Sequence, residues 1–313
     1  MNLAECLQMT ANLLAPAFFD MLGLAALGAV LIAIAGQIAA KTKQRVFYDK
    51  YGQQTAAMGF MLLVVTLAAV GASAAMAASR FPWLMQWLTH PQSPFIKLYI
   101  AVGAFIVLSL PYALAWKKMR NAKVAHMALG LGAAISGAAS ILLAVAALLV
   151  LALTTSRDTT PLTMAELPLD GTSLLWPMAS QYILLDTALA AGLSCTYLVL
   201  RRNKDDFGRD YYRFSLKLAA RWAIIPMIGQ IACQGWLFAL LPETTRTLIL
   251  STPLGAAWAA AAILPLICII LWAVIAKSQA PLRLKGMTFV AAVLLWLAHA
   301  CDATVFVNLM SML

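Results

Sequence analysis

Charge is scarce in this sequence. Only 12 acidic and 22 basic residues occur among its 313, so charged residues make up 11% of the chain, against about a quarter in a typical soluble domain. Hydrophobic residues make up 63%. These proportions exclude a soluble protein and predict a polytopic membrane protein that has the lipid bilayer as its first partner.

Paired cysteines and catalytic motifs are also absent. The five cysteines are scattered, and the sequence contains no C-x-x-C pair and no C-x-x-C-H signature, which excludes c-type haem attachment and iron–sulfur ligation by this chain. Neither H-E-x-x-H nor G-x-S-x-G occurs. We therefore predict no metal site and no catalytic activity of the chain's own.

Basic residues concentrate in alternate connections between apolar stretches. All but four of the 22 lie there, and the exceptions are Arg80, Lys97, Arg157 and Arg246. Because connections rich in Lys and Arg stay in the cytoplasm, the pattern predicts a bacterial inner-membrane protein with both termini on the periplasmic side. Membrane topology and anionic lipid account for the positive charge, so no nucleic-acid partner is predicted.

Eight apolar stretches are long enough to cross the hydrocarbon core, which takes about 20 residues of helix. They are predicted at residues 13–38, 55–78, 96–116, 125–153, 178–200, 219–241, 255–276 and 287–311. An even number of spans agrees with both termini lying on one side of the membrane.

The two halves of the sequence resemble each other. Residues 18–22 align with residues 184–188, which matches Asp20 to Asp186, and both segments run through small and apolar residues into a basic connection. Four spans in each half make the repeat parallel. We predict two four-helix bundles, at residues 1–160 and 161–313.

Three acidic residues, Asp20, Asp186 and Asp302, lie within predicted spans. A carboxylate in the membrane costs several kcal/mol unless it is protonated, paired or hydrated, so each is a functional candidate. His299 shares a helix face with Asp302, and the two could relay protons, or Asp302 could orient the imidazole as a haem ligand. Alternatively, the carboxylates reach interfacial water or pair with Lys97, the basic residue in the outer part of a span.

The order of these elements resembles subunit I of the cytochrome bd quinol oxidases. The likeness covers roughly two thirds of the chain: it runs from the first span through residues 47–50 to 123–127, and resumes at 181–186 and 212–222. In that family the chain forms two four-helix bundles, and the companion subunit repeats this architecture without a ligated haem. The resemblance implies an all-α protein with eight transmembrane helices.

The sequence departs from that family at the haem ligands. The resemblance places the ligating histidines of the first and fifth helices on Asp20 and Asp186, and residues 255–276 contain no methionine to supply a further ligand. The third span lacks the family's acidic residues, and the connection at residues 241–253 is too short for its quinol-binding loop. The resemblance therefore implies the scaffold and argues against oxygen reduction by this chain.

Two functional hypotheses follow. In the first, the chain is a non-catalytic, haem-poor or haem-free bd-like subunit of a respiratory electron-transfer complex that anchors other membrane and periplasmic redox subunits. Asp20, Asp186, His299 and Asp302 would then line a quinone or proton path. The sequence requires no cofactor, and it leaves a quinone or one b-type haem on His299 open. In the second, the chain is a proton- or cation-coupled transporter that uses the intramembrane aspartates.

Overall fold

The computed structural model describes residues 2–119, 121–155, 167–205 and 207–312. These residues form ten α-helices, one 3-10 turn at Pro281–Leu284 and no strand. The helices are α1 (Leu3–Lys43), α2 (Val46–Arg80), α3 (Pro82–Thr89), α4 (Phe95–Leu114), α5 (Lys123–Thr155), α6 (Leu175–Asp205), α7 (Arg209–Leu240), α8 (Glu243–Ser251), α9 (Pro253–Lys277) and α10 (Lys285–Met312).

Eight of the helices in the described part of the chain are long and apolar enough to cross a membrane, all except α3 and α8. This confirms the predicted all-α architecture with eight spans. Three helices, α1, α2 and α7, begin about ten residues before their predicted starts. Hydropathy marks only the part of a helix inside the hydrocarbon core, whereas α1 starts at a capping box formed by Asn2 and Glu5.

Each half closes into a ring of four helices. In the first half, α1 contacts α2, α2 contacts α4, α4 contacts α5, and α5 returns to α1. The second half repeats the same ring with α6, α7, α9 and α10. The short helices α3 and α8 were not predicted from the sequence, and they occupy equivalent places after α2 and α7. The two predicted bundles are therefore present, and their element order repeats in parallel.

The two bundles share an apolar core. The largest cluster of buried side chains joins Met21 and Ile32 of α1 to Leu189 of α6 and Trp272 of α9. The predicted division at residue 160 falls among residues 156–166, which lie outside the described part of the chain, and it stays a prediction. Met9 near the start contacts Asn308 near the end, so both chain ends lie at the same end of the molecule. The side of the membrane on which they lie stays a prediction.

The bundles meet where α1 crosses α6 at Gly28. A Cβ built on Gly28 would lie 2.2 Å from the carbonyl oxygen of Asp186 and 2.7 Å from the backbone nitrogen of Thr187. Only a residue without a side chain allows the two backbones to come this close. In a bilayer, where apolar burial does not drive helices together, such small-residue contacts supply the packing.

Replacing Gly28 with Ala is expected to destabilise the protein by about 1–3 kcal/mol, because the new methyl group forces α1 away from α6. The free energy of unfolding, measured by titrating SDS into mixed micelles, provides the test. Gly103 on α4 is the matched control: a Cβ there meets no atom of the described residues within 4 Å, and Gly103→Ala should be neutral or stabilising by up to about 1 kcal/mol. Equal stability of the two variants would contradict this account of the crossing.

Candidate functional site

The first and last helices are joined by a buried imidazole and a carboxylate. His299 Nε2 on α10 lies 2.7 Å from Asp20 Oδ2 on α1, although the two residues are 279 positions apart. The His299 side chain is 2% exposed, whereas that of Asp20 is 63% exposed. Since a carboxylate only accepts hydrogen bonds, Nε2 carries the proton and donates it. The pair thus connects the interior of the second bundle to the protein surface.

Further hydrogen bonds join α1 to α10. The Trp296 indole donates to the Leu14 carbonyl over 2.8 Å, and the hydroxyls of Thr10 and Thr304 lie 3.0 Å apart. These bonds hold α1 and α10 in register around His299. They also position the imidazole ring, because a rotation of either helix would break several of them together.

Asp302 lies one turn from His299, in the interior of the second bundle. Its Oδ1 accepts hydrogen bonds from the amide nitrogens of Gln181 on α6, at 3.0 Å, and Gln234 on α7, at 3.2 Å. No Lys or Arg forms an ion pair with Asp302 within the part of the chain that the structure describes. This buried carboxylate is therefore held by neutral donors.

Two small cavities flank Asp302. One is lined by Gln181, Gln234 and Asp302, and the other by Gln230, His299 and Asp302. The sequence analysis missed all three glutamines, which are at most 4% exposed. The sequence does contain a pattern that predicts two of them. Gln230 and Gln234 are four residues apart in an apolar span, so they share one helix face and form a polar patch there.

The other predicted site residues lie away from this cluster. Asp186 is buried at the crossing with α1, where its Oδ1 accepts from the Thr187 hydroxyl over 2.8 Å. Lys97 is exposed on α4 and forms no ion pair with any residue that the structure describes. The partner of Asp20 is thus His299 and not Lys97.

The first bundle contains a second buried histidine with complete hydrogen bonding. His126 Nε2 donates to the Tyr112 carbonyl over 2.8 Å, and Nδ1 accepts from the Gln37 amide over 2.8 Å. The Tyr112 hydroxyl in turn donates to the Gln37 side-chain oxygen. Both ring nitrogens of His126 are occupied, so this network is structural, whereas Nδ1 of His299 has no partner among the described residues.

Comparison with known proteins supports the resemblance in fold. No family model and no curated protein matches the chain. Among solved structures, a chain of the bd oxidase from Geobacillus thermodenitrificans is similar with a TM-score of 0.69 and 13% identity, over 96% of this chain and 86% of that chain. At this identity the likeness shows the fold alone. The protein has a bd-oxidase-like fold, as the sequence resemblance predicted.

Replacing Asp20 with Ala is expected to lower the free energy of unfolding by about 1–3 kcal/mol, because the buried Nε2–H of His299 loses its acceptor. Asp20→Asn keeps a side-chain oxygen that can accept this bond, and it should lose less. Thermal unfolding in detergent measures both effects. Lys97→Met is the control for removal of an intramembrane charge and should change stability by less than about 0.5 kcal/mol. An Asp20→Ala protein as stable as the wild type would show that the pair does not form.

Proposed function

We propose that the chain is a non-catalytic, haem-poor membrane subunit of a bd-like respiratory electron-transfer complex in the bacterial inner membrane. The observation that carries the proposal is the bd-oxidase fold, which extends over 96% of the chain. In this function the chain anchors membrane and periplasmic redox subunits. Exposed apolar side chains such as Val70, Ile225 and Ile270 supply surfaces for lipid and for such partners.

The geometry favours a haem-poor subunit, because the residues at the implied ligand positions do not fit a haem. Asp186 packs directly against Gly28, which leaves no gap for a porphyrin between α1 and α6 at that point. Nε2 of His299 is held by Asp20, and the cavity beside the ring is water-sized. We infer that Asp20 and Asp186 stand in place of imidazoles at the two ligand positions that the resemblance implies. A haem on His299 would have to displace Asp20.

The same residues support a short proton path. A neutral imidazole can accept a proton at one ring nitrogen and release one from the other. In His299 these two nitrogens face opposite ways: Nδ1 is unpartnered beside the cavity that Asp302 lines, and Nε2 contacts the exposed Asp20. We assign the path to Asp20, His299 and Asp302. Asp186 lies outside both cavities and serves the contact between the bundles.

The second candidate function is a proton- or cation-coupled transporter. The buried, unpaired carboxylate of Asp302 favours it. However, coupled transporters commonly bind their ions at discontinuous helices, whereas α1 and α6 run unbroken through Asp20 and Asp186. We therefore rank transport below the subunit function.

Purification of the native complex through a tag on this chain tests the subunit function. Redox subunits that contain haem or iron–sulfur clusters should co-purify, and the isolated chain should show substoichiometric haem in a reduced-minus-oxidised spectrum. Strong b and d bands from the isolated chain in stoichiometric amount would contradict the proposal. If a weak b band is present, His299→Gln should remove it and His126→Gln should not, because both ring nitrogens of His126 already form hydrogen bonds.

Reconstitution into liposomes separates the two functions. If the chain is a subunit and not a transporter, proton flux and alkali-cation flux should equal those of empty liposomes, and Asp20→Asn and Asp186→Asn should change nothing. Fluorescent pH indicators inside the vesicles and isotope uptake provide the measurements. A flux that the wild type supports and either variant abolishes would establish transport in place of the subunit function.

A further inference from the structure

Five buried polar atoms around Asp302, within the second bundle, have no hydrogen-bond partner among the described residues. They are Oε1 of Gln181, Gln230 and Gln234, Nδ1 of His299 and Oδ2 of Asp302. Their side chains come from three helices, each residue is at most 9% exposed, and together they line the two cavities that flank Asp302. Burying a polar atom without a partner is costly, so five such atoms in one place indicate that a ligand binds there.

With Asp302 ionised, all five atoms are hydrogen-bond acceptors. The amide nitrogens of Gln181 and Gln234 both donate to Asp302 Oδ1, which fixes the orientation of both amides and leaves their oxygens free. Nε2 of His299 donates to Asp20, so Nδ1 retains its lone pair. A ligand that binds these atoms must therefore donate hydrogen bonds or carry positive charge.

The charge balance favours a cation. The hydrogen bond from His299 goes to the exposed carboxylate of Asp20 and not to the buried carboxylate of Asp302. No Lys or Arg pairs with Asp302 in the described part of the chain. An unpaired charge inside the membrane is costly, so an ionised Asp302 requires a bound cation.

The donor atoms identify the kind of cation. Carboxylate and carboxamide oxygens are hard ligands that suit alkali and alkaline-earth ions, whereas softer transition metals prefer sulfur and imidazole. A divalent ion such as Ca²⁺ commonly takes several carboxylates, but this cavity contains one, Asp302. One carboxylate with neutral oxygens matches a single positive charge.

We propose that Asp302 Oδ2, with the side-chain oxygens of Gln181 and Gln234, binds a monovalent alkali cation of the size of Na⁺ in the cavity between α6, α7, α9 and α10. Gln230 and His299 Nδ1 bind water in the neighbouring cavity. All the proposed ligands lie on helices of the second bundle. The site does not depend on whether the chain belongs to a respiratory complex, and binding without flux distinguishes it from the transporter function.

The test uses the purified full-length chain in detergent with choline as the only other cation. At constant ionic strength we expect saturable ²²Na⁺ binding of about one ion per chain, and an apparent Tm that rises with the logarithm of Na⁺ concentration, as linkage requires for a ligand of the folded state. Parallel titrations with LiCl and KCl show which alkali ion binds most tightly. A wild-type protein with no saturable binding and no Tm response beyond that in choline overturns the proposal.

The variant Asp302→Asn tests whether the Asp302 carboxylate binds the cation. The Asn oxygen still accepts from Gln181 and Gln234, and its NH₂ replaces Oδ2 with a donor that faces the free acceptors. The variant should therefore fold, bind no ²²Na⁺ and have a Tm that does not respond to Na⁺. Asp186→Asn, which removes another buried carboxylate from outside the cavities, is the matched control and should bind Na⁺ as the wild type does.

Gln234→Leu provides a second, independent variant. It removes one proposed oxygen ligand without changing charge, and its affinity for Na⁺ should fall tenfold or more. If Asp302→Asn does not fold, this variant and the wild-type titration decide the question. Equal ²²Na⁺ affinity in the wild type and Gln234→Leu, or in the wild type and Asp302→Asn, would overturn the assignment.

Discussion

The close crossing of α1 and α6 is the contact on which the rest of the structure depends. Gly28 lets the backbones of the two helices meet at Asp186, and this joins the bundles without any drive from apolar burial. The crossing also breaks the symmetry of the repeat. Asp186 is covered by α1, whereas Asp20, eight residues or about 12 Å along α1, reaches α10 and contacts His299. Equivalent aspartates thus occupy different environments.

The two bundles have diverged in their polar interiors. In the first, the network around His126 satisfies both ring nitrogens, as expected of a group that stabilises packing. In the second, the neighbourhood of Asp302 retains unsatisfied acceptors beside water-sized cavities. A buried group without partners destabilises the fold unless something binds to it, and for this reason both the proposed proton path and the proposed cation site involve the second bundle. The first bundle supports it through the contacts of α1 with α6 and α10.

The spans, the repeat and the bundles were predictable from the sequence, because hydropathy and the spacing of basic residues report directly on the bilayer. The helical extensions outside the hydrocarbon core were not predictable from hydropathy. Neither were α3 and α8, which are much shorter than a membrane span. The Asp20 contact with His299 depends on how two helices rotate about their axes, which residues 279 positions apart do not reveal. Gln181, Gln230 and Gln234 were missed because an uncharged amide does not stand out among apolar neighbours.

We propose that carboxylates replace the haem ligands in this bd-oxidase-like fold, with Asp20 bound to an imidazole and Asp186 packed against α1. A high-resolution density map of the native protein in lipid tests it most directly. The account predicts continuous side-chain density between Asp20 and His299, and direct backbone contact at Gly28 with no planar density between α1 and α6. Porphyrin density seated against Asp186 or His299 would contradict it.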